Sequence, residues 1–256
     1  MKPNGPIRLA TAAVAVMLVF AGCRRDEPIV PAGTTATLRV RIVPDWNGEP
    51  FQRYTEFRDW QNFRVKVDML RFYLSDLRMV NGDGELSVKD MVLVDMDNGP
   101  FGFDLKVPAG KWWGMRAGLG LPLAINHSDP ASYPNEHPLS VNSGMSWSWL
   151  TGYKFVLLDG RFNTDPASTG DLPGLLAIHT GQDTCYAEVG LFPPASFVTS
   201  IDSTTNFTIH VGVDQFLHSP VESIDLGTEN QANGSNVPLA MKMTRNIVRS
   251  MSAETP

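Results

Sequence analysis

Histidines and a tryptophan-rich segment are the residues of this sequence that could do chemistry. The five histidines are dispersed: His127, His137, His179, His210 and His218. None of them forms a local metal-binding motif, so any metal site would have to be assembled by folding. Imidazole and thioether groups together suit copper best. His137 and Met145 lie near each other in the chain and could supply both kinds of donor.

Other chemistries lack a matching motif. The sequence contains no Gly-x-Ser-x-Gly elbow, no glycine-rich phosphate loop, no Cys-x-x-Cys pair and no His-Glu-x-x-His pattern. Cys185 has no nearby histidine at the spacing of a catalytic pair, and we expect it to be a buried structural thiol. The sequence therefore predicts a protein that is not an enzyme.

The first 22 residues are typical of a secretory signal. Lys2 and Arg8 precede an apolar run, 9–20, which is too short for a comfortable transmembrane span. Cys23 then follows Ala21-Gly22, which resembles a bacterial lipobox with cleavage before Cys23 and lipid attached to it. The alternative is a plain signal peptide that leaves Cys23 as a stray thiol. Arg24, in place of the aspartate that retains lipoproteins in the inner membrane, favours an outer-membrane lipoprotein facing the periplasm or the outside.

The mature chain is predicted to be one acidic domain on a short tether. Removing residues 1–22 takes away two of the 21 basic residues and none of the 27 acidic ones, so the net charge becomes 19 − 27 = −8. An acidic chain without a basic face argues against nucleic acid as a partner. Charged residues, proline and glycine without periodicity make 23–34 a tether, and 35–256 is the folded domain.

Alternating apolar and polar residues predict an all-β fold, an antiparallel β-sandwich with long loops. Leu38, Val40 and Ile42 alternate with arginines, and 81–84 (Asn-Gly-Asp-Gly) is a strong hairpin signal. Further runs of this kind follow at short spacing. They include one from Trp149 to Leu157. Near the end, Asn236 can cap an amphipathic helix that covers part of the sandwich or its edge.

One long segment interrupts the strand pattern. From Pro122 to Met145 the sequence holds several prolines and two histidines, His127 and His137, with no alternation. A loop of this length in a compact domain is usually functional or disordered. Because it leads directly into the tryptophan-rich segment, we favour a functional role.

The residues around this loop resemble the MbnP-like family. The pattern runs from His137-Pro138-Leu139 through Gly144-Met145-x-Trp147-x-Trp149 to Gly152-Tyr153-x-Phe155. Members of the family are methanobactin-associated copper proteins and related copper-repressible surface proteins. The resemblance implies a β-sandwich that binds copper outside the cytoplasm. It also implies that a partner di-haem enzyme of the MauG type oxidises one tryptophan to kynurenine.

Carried onto this chain, the resemblance implies particular site residues. Trp147 or Trp149 is the candidate for oxidation. His137 and His179 are the first candidate copper ligands, with Met145 and His127 behind them. Some copper-binding relatives carry a histidine close to the modified tryptophan, whereas Ser148 and Thr151 occupy that neighbourhood here.

Two other functions are open at this point. The sandwich and its long loop could form an interaction module that binds a cell-envelope partner protein, with the histidines incidental. Trp112, Trp113 or Trp46 could instead form a sugar-binding platform. Because neighbouring strand residues point to opposite faces, at most one of Trp112 and Trp113 can lie on a given surface.

Overall fold

The computed structural model describes residues 34–96, 101–148 and 152–255. The strands in chain order are β1 Thr35–Trp46, β2 Glu49–Pro50, β3 Glu56–Arg58, β4 Arg64–Asn81, β5 Gly84–Asp95, β6 Phe101–Pro108, β7 Gly110–Trp112, β8 Gly114–Leu119, β9 Ser146–Ser148, β10 Gly152–Asn163, β11 Gly174–Gly181, β12 Ala187–Leu191, β13 Phe197–Thr199, β14 Thr204–Gly212, β15 Gln231–Asn233 and β16 Met251–Glu254. The α-helices are α1 Leu123–Asn126 and α2 Val237–Ser250, and short 3₁₀ turns span Pro130–Ser132, Val141–Ser143, Asp183–Cys185 and Asp214–Phe216.

Two main sheets form the fold. The larger sheet has the order β12-β8-β4-β10-β11-β15, with β3 and β5 also paired to β4 and β9 paired to β10. The smaller sheet has the order β16-β14-β1-β2, with β6 paired to β1. The predicted all-β sandwich is confirmed. The β1–β14 and β11–β15 pairs are parallel, however, a feature that alternation within single strands cannot reveal.

The first strand shows why the sandwich forms. Leu38, Val40 and Ile42 are fully buried, whereas Arg39 and Arg41 between them are exposed. Successive strand residues point to opposite sides of the sheet, so this alternation gives β1 one apolar face and one wet face. The apolar face joins a hydrophobic core to which both sheets contribute.

The predicted hairpin at 81–84 joins two long strands. Strand β4 runs for 18 residues and pairs with β5 up to the contact of Asn81 with Gly84, which confirms the turn. The strand is interrupted at Asp76, whose φ of 47° is left-handed and whose neighbours Ser75 and Leu77 border register shifts. A bulge of this kind bends a strand without ending it.

The tryptophan-rich segment folds back on itself. The alternating pattern predicts one strand from Trp149 to Leu157; within the described residues, β10 begins at Gly152, with a φ of 73°, and pairs antiparallel with β9. Trp149 and Thr151 lie outside the described residues. The predicted burial of Tyr153 and Phe155 is confirmed. A glycine in the left-handed region can turn the chain where the hydrophobic pattern alone suggests continuity.

The predicted C-terminal helix is confirmed. The side chain of Asn236 accepts a hydrogen bond from the Leu239 amide at 3.3 Å and so caps α2. Leu239, Met243 and Ile247 are buried, and the helix packs against strands β11 and β12 of the larger sheet and β14 of the smaller one. The helix therefore ties the two sheets together. Within the described ranges, no helix is long and apolar enough to cross a membrane.

Replacing Met243 by alanine should destabilise the fold. The side chain is fully buried, so its removal leaves a cavity and should lower the free energy of unfolding by about 2–5 kcal/mol. Urea denaturation followed by circular dichroism measures the change. Met241→Ala, at a half-buried position of the same helix, is the matched control and should cost clearly less; equal losses would contradict this packing.

Candidate functional site

Trp147, in the middle of β9, is held by two glycines. A Cβ placed on Gly181 would lie 3.3 Å from Cζ3 of the indole, and one on Gly234 would lie 3.2 Å from its Cζ2. Gly234 also has a φ of 83°, which disfavours any side chain there. The six-membered ring of Trp147 therefore lies in a cradle that only glycine leaves open.

His179, near the end of β11, packs against this indole. The two ring centroids are 6.0 Å apart and the ring planes meet at 71°, an edge-on contact. The Nε2 atom of His179 lies 2.7 Å from Oδ1 of Asp159 on β10. An ionised carboxylate only accepts hydrogen bonds, so Nε2 carries the proton and Nδ1 of the neutral ring keeps a free lone pair.

Trp147 forms a common wall of two cavities. One has a volume of about 460 Å³ and is also lined by His127, Asp129 and Tyr153. The other, lined by His179 and both cradle glycines, has a volume of about 10 Å³, close to the space of one water molecule. Imidazoles from two distant parts of the chain thus border cavities that meet at one indole.

His127 is held by a chain of polar contacts. Its Nε2 lies 3.2 Å from Oδ2 of Asp183, and the other oxygen of that carboxylate accepts from the side-chain amide of Asn126 at 3.0 Å. Asn126 is fully buried, and its Oδ1 accepts from the backbone N–H of Tyr153 at 2.9 Å. The long loop is thereby tied to strand β10.

His137 occupies a different environment. Its ring stacks on Tyr133 with centroids 4.4 Å apart, and its Nδ1 accepts a hydrogen bond from the Leu139 amide at 3.1 Å. In the neutral ring the proton therefore sits on Nε2. His137 lines a cavity of about 540 Å³ beside Lys89, and that cavity is lined by neither Trp147 nor His179.

The other predicted site residues are dispersed. Met145 is fully buried in the hydrophobic core. Trp149 and Cys23 lie outside the described residues. His210 pairs with Glu254 at 3.1 Å on the smaller sheet, and His218 stacks on Trp60.

The tryptophans proposed for sugar binding have different environments. Trp46 is buried and stacks on Phe57, and Trp112 is buried and donates from Nε1 to Thr199 at 3.1 Å. Trp113 is half exposed beside a cleft of about 670 Å³. The prediction that only one of Trp112 and Trp113 faces outward is confirmed.

Cys185 is 1% exposed, as expected for a structural thiol. Burial raises its pKa, which keeps the thiol protonated and unreactive near neutral pH.

Sequence reasoning missed three residues of this region. Asp159 is 20 positions from His179 and meets it only because β10 and β11 pair. Asp183 and Asn126 are near His179 and His127 in sequence, but neither spacing is a recognised motif. Asn126 directly precedes His127, but its importance lies in its burial, which the sequence does not show.

The described ranges contain no group of three histidine, cysteine or acidic side chains that could hold a metal ion by itself. His179 and His127 each have an Nδ1 that makes no hydrogen bond among the described residues, and each lines a cavity that Trp147 also lines.

An all-β sandwich with two carboxylate-backed histidines around one tryptophan is the arrangement these residues define. Residues 35–239 match the family model MbnP, and the chain therefore belongs to the MbnP family. Among solved structures, MbnP from Methylosinus trichosporium is similar with a TM-score of 0.54 and 14% identity. The match covers 86% of this chain and 99% of that one, and at this identity it supports the fold alone. No curated protein matches the chain.

Replacing Asn126 by alanine should loosen the loop from β10. The change leaves the buried N–H of Tyr153 without its acceptor, so the free energy of unfolding should fall by about 1–3 kcal/mol. Urea denaturation measures the loss. Asn135→Ala, in the same loop but exposed, should be nearly neutral. If the Asn126 variant were as stable as that control, the hydrogen bond between Asn126 and Tyr153 would not be what holds the loop to β10.

The imidazole of His137 should titrate below its ordinary range. Burial lowers its pKa from the ordinary value of 6.5, because the charged form loses hydration. Below pH 6.5 the unfolded chain takes up the proton first, so protonation of this residue works against folding. A ¹H–¹⁵N NMR titration measures the midpoint, with the urea-unfolded chain as control. A folded midpoint at or above the unfolded one would contradict the burial.

Proposed function

We propose that this chain is a non-enzymatic copper-binding protein of the cell envelope, serving copper acquisition or storage, with its site at Trp147. The observation that carries the proposal is the edge-on contact of His179 with Trp147 at 6.0 Å between ring centroids. Membership of the MbnP family, whose resemblance implies copper binding, supports the choice of metal. Neither observation requires a catalytic group.

The donors at this site fit copper in kind. Imidazole nitrogen is a favoured ligand of both copper oxidation states. The Nε2 atoms of His179 and His127 face carboxylates, which leaves Nδ1 of each ring as the candidate ligand, and both rings line cavities that Trp147 also lines. Nδ1 of His137 already accepts the Leu139 amide, so the proposal does not include His137 among the ligands.

Oxidation of Trp147 would supply a metal donor in addition to the imidazoles. An indole N–H is not a metal ligand, whereas kynurenine carries an aryl amine and a ketone. In the proposed step, two equivalents of hydrogen peroxide are reduced to water at the partner di-haem enzyme. The C2–C3 bond of the indole breaks, and each of these carbons gains one oxygen. Hydrolysis then releases C2 as formate and leaves the amine free.

The protein contributes position rather than reactivity to this step. The cradle of Gly181 and Gly234 holds the six-membered ring, which the reaction leaves intact. The cavity of about 460 Å³ gives the indole an open side lined by polar groups such as His127 and Asp129. Imidazole from His179, with His127 as the second candidate, would hold copper beside the new amine, and the bound ion would supply a charged centre there.

The cellular setting is proposed from the sequence. A signal peptide over 1–22, lipid on Cys23 and a tether over 23–34 would place the domain at the outer membrane, facing the periplasm or the outside. The oxidising partner would be a di-haem enzyme of the MauG type, as the family resemblance implies. An envelope location would bring the domain within reach of both copper and that enzyme.

His179→Ala should weaken copper binding strongly. Mutating a residue that hydrogen-bonds to a metal ligand typically lowers metal affinity about 10–100-fold. Removing the ligand itself should therefore lower the affinity at least about 100-fold. Competition with a colorimetric Cu(I) chelator, on protein from the native host, measures the affinity. Mass spectrometry of the peptide with Trp147 and Trp149 should show a gain of about 4 Da at Trp147.

His210→Ala is the matched control for the affinity measurement, because His210 also pairs with a carboxylate but lies on the smaller sheet. It should bind copper as the unchanged protein does. Equal affinity of the His179 and His210 variants would exclude the site at Trp147. An unmodified tryptophan peptide from a copper-loaded native protein would exclude the role of kynurenine while leaving the imidazoles.

A further inference from the structure

We infer that Asp159 and Asp183 are positioning residues that select Nδ1 of His179 and of His127 as the metal-binding nitrogen. The inference rests on the proposed function, because it concerns the same two imidazoles. Each aspartate accepts a hydrogen bond from Nε2, at 2.7 Å in one pair and 3.2 Å in the other. Both histidines line cavities that Trp147 also lines, so the same carboxylate arrangement occurs twice beside one indole.

The first pair is built into the larger sheet. His179 lies opposite Leu157 of β10, and Asp159 is two residues further along the same strand. Residues two apart on a strand share a face, so the carboxylate and the imidazole meet diagonally across the two strands. The side chain of His179 is 14% exposed, which limits its freedom to rotate away from the carboxylate.

The second pair is held from behind. Asp183 accepts from His127 with one oxygen and from the buried amide of Asn126 with the other. That amide is itself fixed by the backbone of Tyr153. Both side chains of the His127–Asp183 pair are about two-fifths exposed. The second pair is therefore better anchored at the aspartate but more open to solvent than the first.

The consequence is a choice between ring nitrogens. A histidine that donates from one nitrogen to a carboxylate keeps its other nitrogen unprotonated, oriented and more basic, as metal ligands require. His137 has the opposite arrangement, because a backbone N–H occupies its Nδ1. The hydrogen bonds at the ring nitrogens thus separate His179 and His127 from His137.

Asp159→Asn tests the first pair with little change of shape. Asparagine can either accept from Nε2 or donate to it, so both tautomers of His179 should become populated. Long-range ¹H–¹⁵N NMR of the metal-free protein reports the tautomer directly. Cu(I) affinity, measured by chelator competition, should fall by about 10–100-fold. Asp183→Asn should act the same way on His127, with a smaller loss because that pair is exposed.

Glu254→Gln is the matched control, since it removes the carboxylate behind His210 on the other sheet. It should change neither the tautomer of His179 nor the affinity for copper. If Asp159→Asn leaves both quantities unchanged while His179→Ala abolishes binding, the positioning role is wrong and the copper site stands. If copper shifts the Nε2 resonance of His179 rather than that of Nδ1, the choice of nitrogen is wrong. If His179→Ala has no effect, the proposed site itself fails.

Discussion

The site depends on how a long segment without strands of its own is held against a sheet. Three buried side chains fasten residues 122–145 to strands β4 and β10 of the larger sheet. Asn126 binds the backbone of Tyr153, and the hydroxyls of Tyr73 and Tyr153 donate to the carbonyls of Pro138 and Leu139 at 2.7 and 2.9 Å. Burial raises the pKa of both tyrosines, which keeps these hydroxyls protonated and able to donate. These bonds act together with the buried side chains of Leu139 and Met145, which anchor the same segment in the core.

Local sequence patterns predicted individual strands, turns and the helix, but they did not predict which strands pair with each other. The alternation in β1, the turn at 81–84 and the cap at Asn236 each depend on neighbours a few residues apart. The parallel pairs β1–β14 and β11–β15 depend on partners far along the chain. Hydrophobic periodicity reports which face is buried but not which strand lies beside it.

The candidate site divides in the same way. His179 and Trp147 could be named from the family resemblance, yet the carboxylate behind His179 comes from a neighbouring strand and leaves no local trace. His137 is near Trp147 in sequence, but the turn that it begins engages its Nδ1 and its ring faces another cavity. His127 is further from Trp147 along the chain but lines a cavity with it, whereas His137 lines a different cavity.

The cradle around Trp147 has a consequence for the order of maturation. A Cβ on Gly181 or Gly234 would lie 3.3 or 3.2 Å from the six-membered ring, the part of an indole that survives when its five-membered ring is opened. The packing of the backbone around this ring would therefore be the same before and after the five-membered ring is opened. If Trp147 is oxidised as proposed, folding can be complete before that reaction, and the product requires no refolding. The proposed modification would therefore be made on the already folded domain, at one residue.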